Sequence, residues 1–364
     1  MSSCGATRDP TPARPESAPL VSLEIALAEP RDFRPIDRYV RAHALGTPFH
    51  ETRWLDLSRL TFGFATQTPI ARRDGEVAGV LPLAMVTAPF TGKRLVSVPF
   101  GVYGGILADD EEVRVALDEV SHELARRTGA RYVEYRNRVA GQGAHLGLDL
   151  YETYRRELPE DPEGVLALIP RKRRAEVRQG RERHGLALVE GRELFDDFYR
   201  LYVENKRLLG SPVFAPSYFR TLLELFDARA SLHGLRHEGA VVAAVLSVYD
   251  DRAIYPYYSG EDARTRTLGT MNTLYASLME DAVRRGVRLF DFGRSRQGSG
   301  AATFKRHMGF EPAPLHYQFY FPHGGTLPTL NPSNPKTALP RKILANIPHW
   351  LARLIGPSIM RQVP

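Results

Sequence analysis

Residues 287–310 read VRLFDFGRSRQGSGAATFKRHMGF, and this stretch decides the fold prediction. Val287–Phe292 predicts a buried strand, because its apolar residues first alternate and then run together, and Gly293 ends it. Ala301–His307 predicts a short helix that stops at Gly309. A strand, a loop and a helix in this order are typical of an α/β fold, in which ligands commonly bind at the carboxyl ends of strands.

Charged side chains cluster where this predicted strand ends. Asp291 supplies a carboxylate, the loop supplies the guanidiniums of Arg294 and Arg296, and the helix supplies the ammonium of Lys305. Either these charges belong to a ligand site at the edge of the sheet, or they are solvated charges of a plain strand–turn–helix connection. The density of glycine and arginine in one loop favours the site.

Length and composition indicate a two-domain globular protein. A chain of 364 residues can form two cores, and 49 basic against 42 acidic residues give a net charge of +7. That charge favours anionic partners such as phosphates, RNA or an acidic membrane face. Cys4 is the only cysteine, which excludes an intrachain disulfide and disfavours a thiol nucleophile. We expect residues 1–19 to be a disordered leader and the protein to be cytoplasmic.

One order of elements, a hairpin, a strand, a helix and a strand, occurs twice. The first hairpin turns at Asp74-Gly75 and its helix spans 111–128; the second turns at Glu238-Gly239 and its helix spans 269–285. A chance echo of common α/β patterns is the alternative, but the repeated turn chemistry favours duplication. We therefore predict an α/β fold with mixed sheets and a cleft between two tandem domains. The predicted domains are residues 20–160 and 161–330, followed by a basic segment at 331–364.

A basic run lies at the junction of the two halves. Residues 169–178, IPRKRRAEVR, predict the start of a helix, yet cations at a helix N-terminus oppose its dipole. Local helix stability therefore does not explain them. Either they form a solvated face, or they bind phosphates of a substrate or of tRNA. The candidate phosphate ligands are Arg171, Lys172, Arg173, Arg174 and Arg178.

The C-terminal segment from Asn331 is basic, has no acidic residue, and places apolar residues at helical spacing. Through residues 336–361 it either lies on an anionic membrane surface at the inner membrane face or docks on the second domain. Because Pro348 interrupts the apolar stripe, we favour docking.

Several catalytic motifs are absent from the sequence. It has no Cys-x-x-Cys pair, no His-Glu-x-x-His and no EF-hand loop, so we predict no metal site. It also has no Walker A loop, dinucleotide fingerprint or nucleophile elbow. We therefore predict no tightly bound cofactor and no DNA partner. We also predict that a group passes directly from a donor to an acceptor within a ternary complex, rather than through a covalent intermediate on the enzyme.

The duplicated order and the closing Phe304-Lys305-x-x-x-Gly309-Phe310 resemble the GNAT acyltransferase fold, in which two parallel strands splay to admit an acyl donor. The resemblance implies that the donor's pyrophosphate binds the N-terminus of the helix after the first splayed strand. RTLGTM, residues 266–271, partly matches the family's Arg/Gln-x-x-Gly-x-Gly/Ala loop, although Met271 departs from it. The donor-binding residues implied are Arg264, Arg266, Gly269 and Thr270.

The chain is more specifically similar to the FemAB group of tandem-GNAT proteins, and within it to the branch associated with exosortase/PEP-CTERM systems. FemAB enzymes transfer an amino acid from aminoacyl-tRNA to an amine of a peptidoglycan precursor, and the setting of this branch suggests exopolysaccharide or envelope work. The loop RSRQGSG, residues 294–300, departs from the simpler loop of BioF2-like acyltransferases. The resembling stretches are VPFGVYGGILADD (98–110), IPRKRRAEVR (169–178), YPYYSG (255–260), DFGRSRQGSGAATFKRHMGFEP (291–312), LHYQFY (315–320) and NPSNPK (331–336).

The resemblance implies an N-acyl- or aminoacyltransferase with acyl-CoA or aminoacyl-tRNA as co-substrate and a small-molecule or glycan-precursor acceptor. We assign oxyanion stabilisation to Lys305 and to backbone N–H groups near Tyr257–Ser259. Asp291 or Glu134 would take the acceptor's proton, although Asp291 is equally well a loop cap. The remaining substrate contacts are assigned to Tyr103, Gly104, Gly105, Tyr257, Tyr258, Ser259, Arg294 and Ser295, with Tyr103 as readily a core aromatic.

Two other functions stay open. The first is a non-catalytic module that binds an anionic glycan or RNA at the basic run between the halves. The second is a peripheral membrane scaffold that uses the C-terminal helix. We rank the enzyme first.

Overall fold

The computed structural model describes residues 22–89, 92–140, 145–327 and 344–362. The predicted leader, residues 1–19, and residues 331–343 of the C-terminal segment lie outside the described residues. None of the helices in the described ranges is both long enough and apolar enough to cross a bilayer.

The first half builds two sheets, with strand orders β1-β3-β4-β7 and β2-β5-β6-β8-β17-β9, in which β17 (His316–Tyr320) comes from the end of the second half. The predicted hairpin turn is confirmed: Asp74 and Gly75 have positive φ angles of 52° and 82°, and Arg73 pairs with Glu76. The elements are β1 (Leu23–Leu27), α1 (Phe33–Ala42), α2 (Thr52–Phe62), β2 (Ala65–Gln67), β3 (Pro69–Arg73), β4 (Glu76–Val80), β5 (Leu83–Ala88), β6 (Gly92–Val96), β7 (Leu107–Ala108), α3 (Glu111–Thr128), β8 (Val133–Asn137), β9 (Leu146–Leu148) and β10 (Tyr151–Glu157).

The second half builds one seven-stranded sheet, with the order β11-β12-β13-β14-β15-β10-β16. Its hairpin also turns as predicted, with Glu238 and Gly239 at φ 47° and 83°. The elements are α4 (Val165–Leu168), α5 (Arg171–Glu182), β11 (Ala187–Glu190), α6 (Phe195–Leu208), α7 (Pro216–Phe226), β12 (Ala230–His237), β13 (Ala240–Tyr249), β14 (Ala253–Glu261), α8 (Thr270–Arg284), β15 (Leu289–Arg296), α9 (Gly300–His307), β16 (Pro312–Pro314), β17 (His316–Tyr320) and α10 (His349–Met360).

The same crossover is present in both halves, which confirms the α/β fold with mixed sheets. In the first half α3 lies between β6 and β8, which pair in parallel only at Leu95–Val96 and Val133–Glu134. In the second half α8 lies between β14 and β15, which pair in parallel only at Ala253–Ile254 and Leu289–Phe290. Beyond their ladder β14 and β15 separate, which leaves a gap between two interior strands where a ligand can approach. In the first half β6 ends at Val96, and the loop after it stays on β8, with the Ser97 N–H donating to the Glu134 carbonyl at 2.9 Å.

The two halves exchange strands. β10 precedes the boundary at 160/161, yet it pairs with β15 and β16 of the second sheet. β17 comes from the far end of the second half and pairs between β8 and β9 of the first. The boundary therefore divides the sequence, but it does not divide the sheets.

One large core cluster joins the halves. Phe49 and Trp54 of the first half meet Phe226 and Tyr257 of the second, in edge-to-face and tilted ring contacts. A buried ion pair accompanies them: Glu51, which is fully buried, accepts hydrogen bonds of 2.7 and 2.9 Å from the guanidinium of Arg229. The halves therefore form one packed body.

The C-terminal helix α10 docks on α6, as we expect from its apolar stripe. The Arg353 guanidinium lies 5.0 Å from the ring centre of Tyr199, and Gly356 allows close approach to Val213. Trp350 and Leu354 remain exposed on its other face.

Candidate active site between the two halves

The strand β15 does not end at Gly293, so that prediction is wrong. It continues to Arg296 because β10, remote in sequence, pairs with it from Tyr151 to Glu157. Gly293 instead lies where the β10–β15 register shifts, with a φ of 63° that favours glycine. The bulge changes which side chains of β15 face the first half of the chain.

A cavity of about 370 Å³ opens between the halves beside this bulge. Seven aromatic rings, four cations and one carboxylate line it, together with Val102 and with Met360 of α10. The aromatic residues are Phe100, Tyr132, Tyr151, Phe214, Tyr257, Tyr258 and Phe292, and the charged residues are Arg94, Glu134, Arg136, Lys206 and Arg294.

Arg294 and Lys206 have no carboxylate partner among the described residues. Neither forms an ion pair with any of the described residues; Arg294 lies over the rings of Tyr151 and Tyr317, and Lys206 over that of Tyr202. Burial and the neighbouring Arg294 guanidinium both lower the pKa of the Lys206 ammonium. Glu134, the carboxylate on the same wall, is ion-paired with Arg136, so the two like charges of Arg294 and Lys206 provide a site for an anion.

Glu134 supplies the carboxylate of the cavity wall. It is buried, and its Oε1 accepts a hydrogen bond of 2.8 Å from Arg136 Nε. Arg136 also donates to the carbonyls of Val98 and Gly101, at 3.2 and 3.0 Å. The predicted proton acceptor Glu134 therefore lies in the cavity, on a strand and with a fixed partner.

The loop after β6 carries backbone strain. Val98 and Phe100 have φ angles of 57° and 62°, which are unfavourable for β-branched and bulky residues. Side chains from several elements hold this loop: Trp54 Nε1 donates to the carbonyl of Pro99 at 3.0 Å, and the Tyr257 hydroxyl donates to that of Phe100. The strained loop places Phe100 and Val102 on the cavity wall.

Asp291 lies in a buried network rather than on the cavity wall. Its carboxylate accepts hydrogen bonds from the Tyr103 hydroxyl at 2.9 and 3.0 Å and from the Gly293 N–H at 2.7 Å, and Arg155 Nε lies 3.0 Å from it. Burial raises the pKa of Asp291, and the charge of Arg155 opposes that rise. Asp291 thus caps the bulge and ties it to Tyr103 of the first half.

Lys305 stabilises the same bulge from the other side. Its ammonium is buried and donates to the carbonyls of Phe292, Gly293 and Arg294, at 2.8, 2.9 and 3.3 Å. These contacts use all three N–H donors of an ammonium. The geometry therefore supports a structural role for Lys305 in place of the predicted oxyanion role.

We expect Lys305→Met to lower the free energy of unfolding by about 3 kcal/mol, because buried carbonyls of the bulge lose their donor. Burial lowers the pKa of the Lys305 ammonium to about 7. Between this value and its unfolded pKa the unfolded chain binds the extra proton, so wild-type stability rises with pH through that window. Urea denaturation at pH 7 and pH 9 measures the free energy of unfolding. The difference between the wild type and the variant should be larger at pH 9. Lys172 is exposed and serves as the control. If Lys172→Met lowers the free energy of unfolding as much as Lys305→Met does, the structural role of Lys305 is contradicted.

The predicted donor residues lie at the N-terminus of α8, and α5 covers that end. The Glu176 carboxylate accepts a hydrogen bond of 2.5 Å from Asn272 Nδ2, and Gly269 faces the Glu176 carbonyl so closely that a Cβ would lie 3.1 Å from it. Thr270 is buried and donates to the Thr265 carbonyl. Arg264 and Arg266 pair with Asp262 and Glu261. A pyrophosphate at this helix end would have to displace α5.

The basic run forms the first turns of α5. Arg173 pairs with Glu176 and contacts His307, and Arg174 donates to the Ile169 carbonyl. The exposed cations of the run are Arg171, Lys172 and Arg178. They form one basic face on the surface, away from the cavity lining.

Of the other predicted substrate-binding residues, some line the cavity wall and others support it. Tyr257 and Tyr258 line the cavity, and Tyr257 lies at a register shift between β13 and β14. Ser259 accepts a hydrogen bond from Tyr275, and the buried Ser295 hydroxyl has no hydrogen-bond partner in the part of the chain that the structure describes. Gly104 and Gly105 lie so close to Val98 and Asn137 that a side chain would clash. Their role is to let the strained loop approach β8.

Sequence reasoning missed Arg94, Arg136 and Lys206. One signal was present for Arg136: it follows Glu134 by two residues on a predicted strand, so both side chains point to the same face. Arg94 and Lys206 lie at positions that only the tertiary fold brings to the cavity.

Comparison with known proteins agrees with this architecture. Residues 168–306 match the family described as "Acetyltransferase (GNAT) domain". A search of curated protein sequences found no match.

Solved structures resemble a larger part of the chain. The crystal structure of FemX has 16% identity and a TM-score of 0.66, covering 81% of this chain and 97% of that one. A tandem GNAT protein from the clavulanic acid biosynthesis pathway has 15% identity and a TM-score of 0.52, covering 84% and 100%. The C-terminal domain of a putative lysylphosphatidylglycerol synthetase from Agrobacterium fabrum has 15% identity and a TM-score of 0.55, covering 79% and 91%. The chain therefore has the fold of tandem GNAT proteins, and its residues 168–306 match the GNAT acetyltransferase domain.

Proposed function

We propose that the protein is an acyltransferase that moves an aminoacyl group from aminoacyl-tRNA to an amine or hydroxyl of an anionic cell-envelope or exopolysaccharide precursor. The observation that carries the proposal is the cavity between the halves, where Arg294 and Lys206 have no carboxylate partner among the described residues. The acceptor's phosphates or carboxylates would supply the missing counter-charge. Charged tRNA is made in the cytoplasm, so the reaction would take place there.

The choice of donor rests on α5. Because Glu176 and the α5 backbone cover the N-terminus of α8, the usual place for a coenzyme A pyrophosphate is filled. The same helix presents Arg171, Lys172 and Arg178 to solvent, as suits an RNA backbone. An acyl-CoA donor is the second candidate, favoured by the match to the acetyltransferase family.

In this reaction the acceptor's nitrogen or oxygen attacks the donor's ester carbonyl, and a new C–N or C–O bond replaces the ester C–O bond. Glu134 takes the acceptor's proton, which then passes to the departing ribose hydroxyl. Backbone N–H groups near the bulge at Tyr257 would stabilise the oxyanion. Arg294 and Lys206 orient the acceptor.

Binding of a charged tRNA and of acetyl-CoA, each measured by calorimetry, tests the donor. We expect charged tRNA to bind, and the triple variant Arg171→Ala, Lys172→Ala, Arg178→Ala to weaken binding and make its salt dependence shallower. Arg34→Ala, Arg38→Ala, Arg41→Ala removes the same charge from exposed positions of α1 and is the control. Glu134→Gln should bind charged tRNA normally and transfer at least about 100-fold more slowly. Binding of acetyl-CoA alone would make acyl-CoA the donor.

A further inference from the structure

A cluster in the first half brings together one carboxylate and two imidazoles. Asp118 and His122 are one helical turn apart on α3, and His145 directly precedes β9. Their ligand atoms all lie within 4.8 Å of one another. His122 Nε2 is 3.3 Å from Asp118 Oδ1, and His145 Nε2 is 2.8 Å from Asp118 Oδ2.

One atom of the cluster is unsatisfied. His122 Nε2 is buried and forms no hydrogen bond to any of the described residues, although it faces the carboxylate. Leaving a buried polar atom without a partner costs about 1–3 kcal/mol. A cation between the imidazoles and the carboxylate would satisfy it.

The three side chains are held in place by their neighbours. Tyr320 stacks on the His122 ring, with 3.5 Å between the ring centres, and Tyr135 stacks on His145 at an interplanar angle of 12°. The Tyr135 hydroxyl also donates to Asp118 Oδ1 at 2.7 Å. Such support from surrounding groups is what fixes the orientation of metal ligands.

A second cavity of about 370 Å³ reaches this cluster. Asp118 and His145 lie on its wall, where Asp110 and Glu111 are paired with Arg73 and Arg114. An ion can therefore reach Asp118 and His145 through this cavity.

A similar cluster in the second half already contains a cation that the protein itself supplies. Glu190, His233 and Asp281 also have ligand atoms within 4.8 Å, but the Arg285 guanidinium pairs with both carboxylates, at 2.6 Å from Asp281. The cation of that cluster is already part of the protein. At the first cluster the Arg114 guanidinium stays 3.9 Å from Asp118 Oδ2.

We propose that Asp118, His122 and His145 bind one divalent transition metal ion of the zinc type. Two imidazole nitrogens and one carboxylate suit zinc, with water or a ligand in the cavity completing the coordination. Because Tyr320 belongs to the exchanged strand β17, the ion would stabilise α3 and β9 against that strand. The sequence predicts no metal site because the third ligand is far from the other two in the chain. This site is separate from the cavity between the halves and does not depend on the proposed function.

Calorimetry of the full-length protein, after dialysis against EDTA and then metal-free buffer, tests the site with ZnCl₂ and with MgCl₂. We expect one Zn²⁺ per chain and no Mg²⁺, since Mg²⁺ prefers oxygen ligands. Loss of a group that only supports a metal ligand weakens metal affinity by about 10- to 100-fold. Because His122 and His145 are proposed as ligands themselves, His122→Gln and His145→Gln should each weaken Zn²⁺ binding by at least about 100-fold.

His233→Gln, at the cluster that Arg285 fills, is the matched control and should bind Zn²⁺ as wild type does. Circular dichroism establishes that each variant is folded, and two independent ligand variants keep the test decisive if one of them is not. Absence of Zn²⁺ binding by the wild type would overturn the proposal. Binding of equal strength by the folded His122→Gln or His145→Gln variant would also overturn it.

Discussion

Replacing Arg294 by methionine is expected to weaken the binding of pyrophosphate, a probe for the phosphates of an activated glycan precursor, about 10- to 150-fold. This range corresponds to the loss of one charge-assisted hydrogen bond, about 1.5–3 kcal/mol. Arg294 lies on the cavity wall, and the variant breaks no salt bridge between described residues. Methionine retains much of the packing against Tyr151. Calorimetry of the purified variant measures the change.

Lys206→Met should weaken pyrophosphate binding in the same range, because both cations face one cavity. Arg200→Met is the matched control: Arg200 lies on the same helix as Lys206 and pairs with Asp197 at the surface. If Arg294→Met binds pyrophosphate as tightly as the wild type, the cavity between the halves is not the anion site.

Replacing Glu51 by alanine should lower the free energy of unfolding by about 3–5 kcal/mol. The carboxylate is fully buried and joins the halves, with both oxygens bonded to Arg229 and Arg53 Nε at 3.1 Å. Its loss leaves the guanidiniums of Arg229 and Arg53 next to each other without the carboxylate that bonds both of them. Urea denaturation measures the effect.

Asp56→Ala, in the helix α2 that begins directly after Glu51, supplies the comparison. Asp56 pairs with Arg59 on the exposed face of α2, and such surface pairs contribute about 0–1 kcal/mol. A loss for Glu51→Ala no larger than that for Asp56→Ala would mean that the Glu51–Arg229 pair does not hold the halves together.

Local physics made much of the fold predictable from the sequence. The turns at Asp74-Gly75 and Glu238-Gly239 follow from backbone conformations that favour glycine, and α3 ends at Gly129 in the left-handed conformation. These signals lie within a few residues of the elements that they define. The repetition of one order of elements then predicted the tandem arrangement.

The parts that sequence reasoning missed depend on contacts between distant residues. Gly293 resembles a strand terminator until β10 pairs across it, and only then is it a bulge. Lys305 has the residue type of a catalytic cation, but three carbonyls of that bulge occupy it. Lys206 reaches the cavity from α6, and no local pattern marks it. The strands of the fold were therefore easier to predict than the chemistry of its cavity.

The exchange of β10 and β17 has a consequence for how the chain acquires its structure during synthesis. The first half cannot complete its sheet until residue 320 has left the ribosome, because β17 lies between β8 and β9. A nascent chain that ends before β17 exposes the unpaired edge of β8, which invites aggregation or pairing with another chain. We therefore expect the first half to depend on chaperones during translation, and a fragment cut at residue 160 to be insoluble.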